Sequence, residues 1–63
     1  MSRGEIVKVK VLSGENVHRR VWEDAGRGVL LCTEEGYHQA LQTGREPVVV
    51  GFPREDVQRI SEG

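Results

Sequence analysis

A chain of 63 residues with nine Lys and Arg, ten Asp and Glu and a net charge of −1 has room for one domain, spanning 1–63 with an ordered core over about 5–60. Its single cysteine excludes an intrachain disulfide, and Cys32, His18 and His38 are too few and too scattered for a structural zinc site, so neither a metal nor another cofactor is expected. No apolar run approaches the ~20 residues of a membrane span, the Met1-Ser2-Arg3-Gly4-Glu5 start has no apolar signal segment, and a free thiol without one points to a reducing cytoplasm.

Residues 5–12 alternate, with Val7, Val9 and Val11 on one face and Lys8 and Lys10 on the other. Period two with β-branched side chains predicts a half-buried strand, and Ser13-Gly14-Glu15-Asn16 predicts a turn. A second strand is expected over 17–24. There Val17, Arg19, Val21 and Glu23 share one face, and His18, Arg20, Trp22 and Asp24 the other. Ala25-Gly26-Arg27-Gly28 supplies the glycines of a tight hairpin. The apolar run 29–33 then predicts a third strand, completing an antiparallel meander.

The spacing changes at Tyr37, Ala40 and Leu41, which stand at i, i+3 and i+4 and predict a helix over 34–43. Thr33 suits its N-cap, Glu34 and Glu35 suit the positive end of its dipole, and Gly44 suits the position after its last turn. Gly36 costs the first turn about 1 kcal/mol relative to alanine. Pro47 opens an expected fourth strand over 47–52, with Gly51 marking a bend or bulge. Residues 53–56 form a tight turn, read as one 3₁₀ turn, and 57–60 supply a short closing strand.

Three meandering strands, an excursion, a fourth strand, a proline-led turn and a short apolar tail resemble the SH3-like small barrel. The segment that matches best is Phe52-Pro53-Arg54-Glu55-Asp56-Val57-Gln58-Arg59-Ile60. In such domains a proline opens the turn, and a valine and a later aliphatic plug the barrel. The resemblance implies a mainly β, SH3-like five-stranded small barrel with a short helix inserted between strands 3 and 4. A fold of this kind hosts many functions, so function has to come from particular residues.

Two subfamilies can be compared directly. Peptide-binding SH3 domains line their groove with several aromatics and a tyrosine in the closing turn. This chain has only Trp22, Tyr37 and Phe52, and Glu55-Asp56 stand where that tyrosine would be. The tiny plasmid-type dihydrofolate reductases use a Val-Gln-Ile-Tyr segment just before the proline. Here that stretch is Val49-Val50-Gly51-Phe52, without the glutamine or the tyrosine hydroxyl.

Trp22 has two candidate placements. It either covers the open end of the barrel beneath the helix, as aromatic burial favours, or stands outward near Lys8 or Lys10, ready to stack on a base or meet a carboxylate. Residues 1–32 hold six basic side chains against four acidic, and 33–63 hold three against six. A basic face of Lys8, Lys10 and Arg20 beside Trp22 would suit phosphate contact, yet Arg19 and Arg20 fall on opposite faces, as on an ordinary solvated strand. Cys32 closes an apolar run and reads as a small buried hydrophobe. A contact with His38 across the strand-to-helix corner is the one way it could find a base. Glu34, Glu35, Glu55 and Asp56 are accounted for by helix-start and turn chemistry.

No nucleophile–base pair, paired carboxylate or phosphate loop stands out, so neither catalysis nor a small-molecule substrate is expected. The expected function is a non-catalytic interaction module that binds a protein partner or self-associates, with Tyr37 on the helix among its contacts. The alternative is a nucleic-acid-binding barrel using Lys8, Lys10, Arg20 and Trp22.

Overall fold

The computed structural model describes residues 1–60. Strands β1 (Ile6–Lys10), β2 (Asn16–Asp24) and β3 (Gly28–Cys32) form the expected meander, followed by helix α1 (Glu34–Thr43), strand β4 (Val50–Pro53), a 3₁₀ turn at Arg54–Asp56 and strand β5 (Val57–Arg59). They make one antiparallel sheet in the order β4-β3-β2-β1-β5.

That order leaves β4 and β5 as the two edges, with no ladder between them, so the sheet is not closed into a barrel. The 3₁₀ turn carries the chain from one edge to the other, and the sheet curls enough for both ends to reach a common core. Val7, Val9, Val21, Val29, Leu31 and Val57 form that core, with Met1, Val17 and Phe52 packed against it. Five of the six are valines, which suit a pleated surface and resist rotamer disorder.

The β2–β3 register slips between Val21 and Glu23. Val21 opposes Leu31, while Glu23 opposes Leu30 and Asp24 opposes Val29. An extra residue at this bulge reverses the faces of all that follows. Asp24 therefore shares a side with core residue Val29, not with Arg20 as simple alternation predicts. Gly51, the position expected to bulge, pairs regularly with Leu30.

The fourth strand starts at Val50 and not at Pro47. Continuing the β3–β4 register would set Val49 against Cys32 and Val48 against Thr33, where β3 has given way to the helix cap. The closing strand pairs three residues with β1 and buries Val57, whereas Ile60 lies beyond it and is exposed.

Helix α1 has the expected bounds. The Thr33 hydroxyl accepts from the Gly36 N–H at 3.0 Å, and Gly44, at φ 72°, donates its N–H to the Ala40 carbonyl. Ala40 is buried and Tyr37 half-buried, but Leu41 is 60% exposed and points away from the sheet. The helix packs chiefly on β2, and its narrow inner stripe is made by Gly36, Tyr37 and Ala40.

A core this small leaves little reserve, with total stability of about 3–5 kcal/mol. Leu31→Ala should cost about 2–5 kcal/mol and leave the chain largely unfolded at 25 °C. Thr33→Ala should cost about 1 kcal/mol and leave it folded. Urea denaturation followed by circular dichroism reads both.

Candidate functional site

Two places carry side chains not explained by the core alone. The first gathers three of the residues singled out from the sequence. The Trp22 and Tyr37 rings meet edge-on, with centroids 6.3 Å apart and planes at 75°. The Arg3 guanidinium lies 4.2 Å over the Trp22 ring, and its Nε donates to the Trp22 carbonyl at 2.7 Å. Arg20 sits 5.3 Å from the Tyr37 ring centre. Trp22 is thus half-buried between the helix and the segment before β1, flanked by Arg3 and not by the lysines.

Arg20 is fully engaged within the chain. Its Nε and Nη2 donate to the two Glu34 carboxylate oxygens at 2.5 and 2.7 Å, and its Nη1 donates to the Gly4 carbonyl at 2.7 Å. Such a two-pronged pair fixes orientation as well as charge. His38 meets Glu34 Oε1 at 2.9 Å, one helical turn on. The Arg20 hydrogen bonds first, then His38, hold the Glu34 carboxyl down at about 2. The same contact pushes the Arg20 guanidinium up. Gly4 completes the packing. Its φ is +88°, and a Cβ there would come within 2.5 Å of the Tyr37 hydroxyl oxygen.

Lys8 and Lys10 do not join this group. Lys8 opposes His18 and Lys10 opposes Asn16, at the far end of β2 from Trp22. The basic face expected from Lys8, Lys10, Arg20 and Trp22 is therefore divided. Its arginine is paired with a carboxylate and its lysines stand apart from its aromatic ring.

Cys32 is buried and donates its thiol to the Arg20 carbonyl at 3.7 Å, and burial pushes its ionisation up. The base proposed for it, His38, is turned to Glu34. Asp24 is held well below the usual carboxylate range by the Met1 amino group at 2.8 Å, the Gly26 N–H at 3.0 Å and Arg54. Among the described residues no group of three or more His, Cys, Asp or Glu could hold a metal ion, and no helix is long and apolar enough to cross a membrane.

The second place is the open end of the curled sheet, which the sequence reading did not anticipate. Two recesses of about 660 and 770 Å³ adjoin there, and Val11, Val50 and Phe52 line both. The first runs between the inner side of the sheet and helix α1, past Leu31 and Ala40 and under the 45–48 segment. The second is bounded by the β1–β2 turn, with Leu12 at its lip. Leu12 is fully exposed, Val48 is 91% exposed and Val50 56%. The signal was present in the sequence: Val48, Val49 and Val50 are more apolar side chains than one short edge strand can bury on one face.

No protein-family model matches the chain, and no curated protein or solved structure matches it significantly.

The depressed Glu34 carboxyl makes a signed prediction. Stability from the Arg20–Glu34 pair is fully present above the ordinary value near 4.5 and is lost as pH falls through about 2. Glu34→Gln lacks this component. The gap in melting temperature between the natural chain and Glu34→Gln should narrow progressively from pH 5 to pH 2, in thermal melts followed by circular dichroism.

Proposed function

We propose that this chain is a small non-catalytic interaction module of SH3-like architecture, and that the open apolar end is its binding face. The observation that carries this reading is the exposure of Leu12, Val48 and Val50 around two recesses that share Val11, Val50 and Phe52. Exposed apolar surface contiguous with a core is costly in a chain with so small a core, and such patches mark sites of association. The strand order, with the 3₁₀ turn between strands four and five, fits the SH3-like pattern in a form whose edges stay apart. A free buried thiol fits a reducing compartment such as the cytoplasm.

The nucleic-acid reading has less support. Base stacking on Trp22 would compete with Arg3 above the ring and Tyr37 at its edge. Phosphate contact by Arg20 would have to displace Glu34. The Arg3–Trp22–Tyr37–Arg20–Glu34 group is better explained as the fastening of the helix to the sheet.

A photo-crosslinking amino acid placed at Val48, in the full chain expressed in cells, tests the binding face. The same residue at Gln58 on β5 serves as the control. Adducts with a protein from position 48 and none from position 58 are expected. Equal adducts from both positions, or none from position 48, would contradict the reading.

A further inference from the structure

Six charged side chains border the two recesses, three of each sign. Arg19, Arg45, Glu35 and Glu46 border the recess beside the helix, and Lys10 and Asp56 the one beside the β1–β2 turn. None of the six has an ion-pair partner among the described residues. Elsewhere among the described residues some charges are paired and others, Lys8, Glu15, Glu23, Arg27 and Glu55 among them, are not. Arg20 pairs with Glu34, Arg54 with Asp24 and Arg59 with Glu5. What marks the apolar opening is that its bordering charges are of both signs in equal number and are not paired among the described residues.

That balance says something about the occupant. A face shaped for a basic or an acidic segment carries an excess of the opposite sign. A face that meets its own copy across a two-fold axis must carry both, because each charge has to find its opposite on the same patch. The backbone at the rim points the same way. The Arg54 N–H bonds to the Arg27 carbonyl at 3.3 Å, and the alternation of an antiparallel ladder then turns the Val50 and Phe52 N–H groups toward β3 and the Gly51 and Pro53 nitrogens outward. Proline has no N–H, so Gly51 is the one outward donor on β4. An extended peptide adding itself as a sixth strand would find the outward carbonyls of Gly51 and Pro53 but only this one donor. Half the donors of an ordinary four-residue edge are missing, which favours contact through side chains.

We propose that the open end of the sheet is the interface of a two-fold homodimer, in which Val48, Val50 and Leu12 of each copy cover the other's recesses and the rim charges pair across the axis. This rests on the reading of that end as the binding face. It also answers a need of the fold. A chain of this length with one cysteine has no disulfide to add to its core, and a second copy supplies the missing burial.

Sedimentation equilibrium of the purified chain, together with two rim variants, tests the proposal. The natural chain is expected to sediment as a dimer. Arg19→Glu/Arg45→Glu and Glu35→Arg/Glu46→Arg should each weaken self-association at least tenfold, through like charges facing across the axis. Mixed in equal amounts, the two variants should form a heterodimer. Val48→Asp, at an exposed position outside every strand, should be monomeric with unchanged circular dichroism, and it decides the matter if a rim variant fails to fold. A natural chain that stays monomeric up to about 1 mM would overturn the proposal. So would folded rim variants that do not recombine. If the monomer still crosslinks from Val48 to a different protein, only the second copy is lost and the binding face stands. If it gives no adduct, both are lost.

Discussion

Five valines and one leucine are asked to hold the curl of a five-stranded sheet. Val7, Val9, Val21, Val29, Leu31 and Val57 come from four strands, and none is large enough to reach across the sheet on its own. Their burial depends on the sheet bending until β5 stands over the same centre as β3. Phe52 on β4 extends that core toward the opposite edge. Because β4 and β5 never form a ladder with each other, the bend leaves an opening, and the side chains next to it cannot all be covered.

The helix closes one side of this arrangement and not the other. It is held by Arg20, whose guanidinium spans Glu34 on the helix and Gly4 before β1, and by the contact of Tyr37 with Trp22. The β-bulge serves the same end. By reversing the faces after Val21 it brings Asp24 round to Arg54 and ties the β2–β3 hairpin to the 3₁₀ turn. These two polar fastenings, anchored at Arg20 and Asp24 of β2, fix the helix and the turn. Residues 45–49, which join the helix to β4, have no strand partner, and Pro47 and Val48 remain beside the opening.

Much of this was legible in the sequence because it is local. Alternation at Val7, Val9 and Val11, the glycines of the second hairpin, and the cap residues Thr33 and Gly44 all act within a few positions. What was not legible depends on residues far apart in the chain. Strict alternation from Val17 to Asp24 cannot reveal that one residue is extra, since the bulge exists only relative to β3. Of the two placements open to Trp22, the one beside Lys8 or Lys10 could be drawn only because the sequence does not fix the β1–β2 register, and that register puts the lysines at the other end of β2. Arg20 looked free because its partner Glu34 is fourteen positions away. Leu41 fitted helical spacing, yet the helix shows the sheet a stripe only about one residue wide, and Ala40 occupies it. The open end is the clearest case. It exists because β4 and β5 do not meet, and no property of either strand alone expresses that.

Assigning the binding role to the open end rather than to the Trp22 cluster is the central claim, and a dilution series of two-dimensional amide spectra separates the two surfaces. As concentration rises, the amides of residues 11–13 and 48–52 should shift together, while the Trp22 indole N–H and the Tyr37 amide stay in place. Shifts centred on Trp22, Arg20, Lys8 and Lys10, with the 48–52 amides unmoved, would contradict it.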